Sequence, residues 1–129
     1  MIELHGRSVI VTGGASGIGM GIAKVLSLAG ASTLLVDRNF EGVQKLSDSL
    51  EGIHVPFKAD VTDVRDVDKM VSLALDTFGK IDILVNNAGI VGAPNWWERD
   101  IPNDDDWDQV HSVNVRGIVR VTQAVSAHM

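Results

Sequence analysis

The chain contains no cysteine and no tyrosine. Without thiols it can build neither a disulfide framework nor a thiolate zinc site. Without a phenol, one of the common acid–base groups is missing. Positive charge is also in deficit: 11 lysines and arginines stand against 17 aspartates and glutamates, for a formal charge of −6. Such a surface repels phosphate backbones and anionic membranes, so neither nucleic acid nor a bilayer is an expected partner. No apolar run approaches the roughly 20 residues that span a membrane. The opening Met1-Ile2-Glu3-Leu4-His5 lacks the basic, apolar, small-residue order of a secretory signal. A soluble cytoplasmic protein is the expectation. His5, His54, His111 and His128 are scattered without ligand-like spacing, which predicts no metal site.

What the chain does have is 45% apolar residues, which is ordinary for one globular domain, here residues 1–129. Its 13 glycines against three prolines are a skewed ratio, with the glycines mainly at element ends, and there is no linker, repeat or low-complexity segment. Short apolar runs alternate with longer segments of helical period. Ser8–Thr12, Thr33–Val36, His54–Phe57 and Ile83–Val85 read as strands. The first, second and fourth are continuously apolar, as parallel strands covered on both faces are. The third contains Pro56, which cannot donate to a ladder and so predicts an edge strand. Ile18, Ile22, Val25, Leu26 and Ala29 form the stripe of one helix, stopped by Gly30. Val43, Leu46 and Leu50 mark a second. Val67, Met70, Val71, Ala74, Leu75 and Phe78 mark a third, between Asp63 and Gly79. A fourth and longest helix is capped by Asn103, carries Asp104 to Asp106 at its positive end, and runs from Trp107 to about Val125. The βαβαβαβα order predicts an α/β, doubly wound parallel sheet with strand order 3-2-1-4.

Thr12-Gly13-Gly14-Ala15-Ser16-Gly17-Ile18-Gly19 lies between the first strand and the first helix. Glycines there permit backbone angles closed to other residues and let a pyrophosphate approach the amides at a helix N-terminus. A P-loop does not fit, because Met20 occupies its lysine position. Asp37 ends the second strand, where a carboxylate accepts hydrogen bonds from an adenosine ribose and repels a 2′-phosphate. Arg38, next to it, is the residue able to meet such a phosphate. Asp60 is placed either to reach adenine or to cap the following helix. Asn86-Asn87-Ala88-Gly89 closes the fourth strand, at the switch point where ligands gather or simply as a turn. Asn114 interrupts the stripe Trp107, Val110, Ile118, Val121 and Val125 on the long helix, and a buried amide there needs partners. Gly117 allows a close approach one turn on. Trp96 and Trp97 sit in the loop Ile90–Pro102, either lining a substrate entrance or packing over the sheet edge.

Together these residues resemble the short-chain dehydrogenase/reductase family over essentially the whole chain. Thr12–Gly19 is similar to its T-G-x-x-x-G-x-G cofactor turn, Asp60-Val61-Thr62-Asp63 to its adenine-contacting segment, Asp82–Gly89 to its N-N-A-G strand end, and Asn114–Gly117 to its helical asparagine. The resemblance implies a Rossmann-type fold and NAD as cofactor. Gly13, Gly17 and Gly19 would shape the turn, and Ser16 and Ile18 would line the pyrophosphate. Asp37 would select NAD, since members that prefer NADP often carry a basic residue where this chain has Ser16. Asp60 and Val61 would hold adenine, and Asn87, Ala88 and Gly89 the adenosine side. Asn114 would belong to the catalytic Asn-Ser-Tyr-Lys set.

The family's serine and Tyr-x-x-x-Lys pair would follow Met129, so the expectation is a fragment that is inactive alone. The implied whole protein transfers a hydride between nicotinamide and a small-molecule alcohol or ketone. A homo-oligomer is expected, because the long helix has an apolar face to cover. The competing readings are a non-catalytic NAD-binding module and a structural partner with a vestigial nucleotide site.

Overall fold

The computed structural model describes residues 2–129. Four strands form one parallel sheet: β1 (Ser8–Thr12), β2 (Ser32–Asp37), β3 (His54–Lys58) and β4 (Ile83–Val85), in the order β3-β2-β1-β4. Pro56 lies in β3, at the edge, as its missing N–H requires. The register sets Val11 beside Leu35 on one side and Val85 on the other, so the strand ends that carry the polar motifs share one rim.

Side chains along a strand alternate between the faces, which divides the core in two. Ile10, Leu34 and Val36 meet Val67, Met70 and Ala74 of helix α3 (Val64–Phe78), with Val121 and Val125 from the end of the chain. Val9, Val11 and Leu35 meet Ala23 of α1 (Gly17–Leu28) and Val43 and Leu46 of α2 (Phe40–Ser49). β1 is buried along its whole length, whereas the three residues of β4 are half-buried. Removal of a side chain such as Ile10 or Leu34 from water is worth about 1.5–3 kcal/mol.

Helix ends follow their sequence signals. Asp63 accepts from the amides of Arg65 and Asp66 to start α3, and Gly79 stops it at φ +75°. Asn103 forms a capping box with Asp106 at the start of α4 (Asp104–His111). The expected single long helix continues through α5 (Ile118–Ser126), but Ser112–Gly117 between them is widened into a π-type turn.

Two expected helix stripes meet the core only in part. In α1, Ile18 and Val25 are exposed and the buried positions are Gly19 and Ala23. Gly19 and Ala23 lie nearest the sheet, while Ile22 and Leu26 of the expected stripe are half-buried and pack against the same core. In the last helix Trp107 and Ile118 are exposed. The buried line is Asp106, Val113, Gly117, Val121 and Val125, with Asn114 half-buried at its border.

Candidate cofactor-binding site

The turn after β1 is fixed by close backbone approach. Gly13 has φ +67°, and a Cβ on it would lie 2.8 Å from Ala88 Cα and 2.9 Å from Asn87 Nδ2. A Cβ on Gly19 would overlap the Gly13 carbonyl. Gly17 opens α1 at φ +55°. Thr12, which the sequence marked only as part of a motif, is the hub of this arrangement. Its buried hydroxyl accepts from the Asn87 and Ala88 amides, each at 3.1 Å, and donates to the Val85 carbonyl at 3.4 Å. Asn87 adds a bond from Nδ2 to the Gly13 carbonyl at 3.0 Å. A polar residue ending an apolar strand was the signal available for Thr12.

Ser16 is the N-cap of α1, and among the described residues its hydroxyl makes no cap bond. The first amides of any helix lack intrahelical partners. An uncommitted hydroxyl, orphan amides and the positive helix end therefore converge where glycines leave room for an anion. Ser16, Gly17 and Ile18 are exposed at this mouth.

Beside it lies a cavity of about 110 Å³ bounded by Gly13, Asp37, Arg38, Asp60, Val61, Ala88 and Gly89. Asp37 Oδ2 accepts from the Ala15 amide at 3.0 Å and Oδ1 from the Asn39 amide at 2.9 Å. The Arg38 guanidinium leans on Asp60 at 3.8 Å. Asp60 Oδ1 accepts from the Thr62 amide and hydroxyl, at 2.9 and 2.7 Å. Burial works against the Asp60 charge, but the Thr62 hydrogen bonds, then Arg38 and Arg120, outweigh it and hold the carboxyl below its usual range. The alternative reading of Asp60 as the helix cap is set aside, because Asp63 does that. Arg120, which the sequence did not single out, fixes the neighbouring backbone by donating to the Val61 carbonyl at 3.3 Å. Gly117 is needed there too, since a Cβ on it would lie 2.8 Å from Val61 Cγ2.

Asn114 does not line this cavity. Its Oδ1 accepts from the Ile90 amide at 2.9 Å and its Nδ2 donates to the Ile90 carbonyl at 2.8 Å. Its side chain thus holds the exit from β4. Asn86 points away, donating to Thr122 Oγ1 at 3.0 Å. Beyond Ile90 the loop is tied to α4 through buried Asp106, which accepts from the Ala93 amide at 2.9 Å and from the Arg99 guanidinium. Those bonds, Arg99 first and then the Asn103 amide, pull the Asp106 carboxyl down to about 2. Trp96 and Trp97 meet edge to face at 6.2 Å and are 43% and 65% exposed. Among the described residues, no three His, Cys, Asp or Glu side chains gather as a metal site, and no helix is long and apolar enough to cross a membrane.

Known proteins share this fold. The chain is 39% identical to the oxidoreductase UcpA of Salmonella typhimurium, over all of this chain and 49% of that protein. Among solved structures it is similar to a Brucella melitensis 3-ketoacyl-(acyl-carrier-protein) reductase complexed with NADH, with a TM-score of 0.89 and 36% identity over 98% of this chain and 51% of that one. It is also similar to a Burkholderia phymatum short-chain dehydrogenase/reductase in complex with NAD, with a TM-score of 0.88 and 28% identity over 100% of this chain and 46% of that one. The chain spans about half the length of the curated relatives it matches. The family model for short chain dehydrogenases matches residues 7–129, and with the glycine turn, the 3-2-1-4 sheet and the Asn-Asn-Ala-Gly strand end it shows that this chain belongs to that family.

Proposed function

We propose that this chain is the NAD-binding part of an oxidoreductase acting on a small-molecule alcohol or ketone. The carrying observation is the pairing of two features: a cavity bounded by Asp37 and Asp60, and beside it a glycine cradle where, among the described residues, the Ser16 hydroxyl makes no cap bond. The chemistry of these residues suits a dinucleotide. Gly13, Ser16, Gly17, Ile18 and Gly19 take the pyrophosphate at the N-terminal amides of α1, in a turn that Gly13 and Gly19 keep tight because a Cβ on either would strike Ala88 or the Gly13 carbonyl. Asp60 and Val61 hold adenine. Asn87, Ala88 and Gly89 close the adenosine side. When bound, NAD would supply the hydride acceptor.

Asp37 favours NAD by accepting from ribose hydroxyls and opposing a 2′-phosphate. Arg38, the residue able to favour NADP, has its guanidinium turned toward Asp60. Asn114 acts in this reading as a positioning residue, through Ile90, rather than by touching cofactor. No proton step with the substrate is assigned to this chain, which has no tyrosine, and turnover by these 129 residues alone is not expected. A cytoplasmic homo-oligomer completes the proposal, with a second copy covering exposed apolar residues such as Trp107, Ile118 and Val119.

The test is titration with NADH and NADPH, followed by nicotinamide fluorescence. NADH should bind at least tenfold more tightly, since a difference of about 1.4 kcal/mol is tenfold. Asp37→Ala should narrow the gap, leaving Arg38 to act alone. Tighter binding of NADPH by the unaltered chain would overturn the assignment of Asp37 and Arg38.

A further inference from the structure

Asp37 has two hydrogen-bonded neighbours that the ribose reading does not use. Its Oδ2 accepts from the Ala15 amide at 3.0 Å and its Oδ1 from the Asn39 amide at 2.9 Å. These amides belong to different segments. Ala15 is the middle of the glycine turn, directly before the Ser16 N-cap, and Asn39 is the N-cap of α2, where its own Oδ1 accepts from the Gly42 amide at 3.1 Å. The segments also touch: a Cβ on Gly42 would lie 2.8 Å from the Ala15 Cβ. Gly14 is tied to the same strand, its amide donating to the Val36 carbonyl at 3.1 Å. The outgoing half of the turn is therefore held by the end of β2, and one carboxylate supplies the link at the residue before the phosphate-facing amides.

We propose that Asp37 is a positioning residue for pyrophosphate as well as a partner for ribose: its carboxylate fixes Ala15, and through it the Ser16–Gly19 amides, before any cofactor arrives. The inference rests on the dinucleotide reading above. A bond from a charged acceptor is among the stronger local restraints, and here it restrains a turn with two glycines at positive φ, Gly13 and Gly17. Each oxygen keeps acceptor capacity for a ribose hydroxyl, so the two roles are compatible. The consequence concerns specificity. Removing Asp37 to admit a 2′-phosphate also loosens the turn, so affinity for both cofactors should fall while the ratio between them narrows.

The two roles separate with an NAD analogue whose adenosine ribose lacks the 2′ and 3′ hydroxyls. A residue acting only on ribose has nothing to bind in this analogue. With Asp37→Ala the expected result is a loss of roughly tenfold in affinity for the analogue, as for a lost charged hydrogen bond. Asp37→Asn retains an acceptor oxygen and should lose less. In the ligand-free protein, Asp37→Ala should speed exchange of the Ala15 amide while Val9–Val11 stay protected. Equal analogue affinity in the unaltered chain and Asp37→Ala, or an unchanged Ala15 amide, would overturn the proposal. If Val9–Val11 also lose protection, Asp37→Asn decides by the same readouts. If the unaltered chain binds neither NAD nor the analogue, the dinucleotide reading fails, and the Ala15 exchange alone judges the positioning role.

Discussion

The turn after β1 and the loop after β4 meet above the same rim of the sheet, but different forces hold them. The turn is held by hydrogen bonds too, but its tightest contacts depend on what has been left out. Gly13 and Gly19 sit where a Cβ would overlap Ala88, the Asn87 side-chain amide or the Gly13 carbonyl, and the Thr12, Asn87 and Asp37 hydrogen bonds add to a contact that is already tight. The loop from Ile90 is fixed by what has been put in. Asn114 brackets Ile90 from both sides, and Asp106 gathers Ala93, Arg99 and Asn103. A geometry set by exclusion fails abruptly when an atom is added, because packed backbone cannot move aside. A geometry set by hydrogen bonds weakens by steps as partners are removed.

The largest effect should therefore come from one methyl group. Gly19→Ala places a Cβ against the Gly13 carbonyl, and relief requires α1 to lift from the sheet that buries Ala23. Overpacking of this kind costs about 1–3 kcal/mol, and this site belongs at the upper end, because the obstructing atom is backbone. Urea unfolding should show the loss, and NADH affinity should fall at least tenfold as the amides move. Unchanged stability and binding would show that the turn yields as easily as the loop, and the contrast would be lost.

The next effect is a subtraction. Asn114→Ala removes two hydrogen bonds and leaves the Ile90 amide and carbonyl without those partners. Each neutral bond is worth about 1 kcal/mol, so the expected loss is about 2 kcal/mol. Faster exchange should be confined to Ile90 and its neighbours, with the Gly13–Gly19 turn unaffected. Asn114→Asp, which keeps the acceptor but loses the donor when ionised, should fall between the two. Spread of the effect to the turn would show that the two regions are one unit.

The same contrast explains what could be read from the sequence. The bounds of β1 and β4 were legible because continuous apolar runs between turn residues have few other readings. Pro56 placed β3 at the edge by its missing donor. The face of α1 was legible in part. A search for apolar stripes finds Ile22 and Leu26, which pack against the core, but it also selects exposed Ile18 and Val25 and passes over buried Gly19 and Ala23. The polar ties were least visible. Thr12 meets Asn87 and Ala88, and Arg120 meets Val61, across separations that only the fold brings together. Asn114 was recognisable as a polar residue near an apolar stripe, yet its partner at Ile90 was not.

The smallest effect at neutral pH, and the most selective, concerns Asp106. Its carboxyl is held at about 2, first by the Arg99 guanidinium and then by the Asn103 amide, against an ordinary value of 3.8. The depressed value means that the folded state favours the charged form. The stabilisation is complete above about pH 4, where the unfolded chain is also ionised, and is lost as pH falls toward 2. Asp106→Asn removes the titration but keeps an acceptor oxygen for the Ala93 amide. The variant should be weaker than the unaltered chain at pH 7, and the gap should close between pH 4 and 2, moving the acid-unfolding midpoint by on the order of one pH unit. Asp82, also held at about 2 by the Ser8 amide and then Lys80, titrates over the same range in both proteins and cancels in the comparison. Urea midpoints at pH 7, 4, 3 and 2 measure the gap. A gap independent of pH would mean that Asp106 holds the loop through its shape and neutral hydrogen bonds, with the Arg99 charge adding nothing.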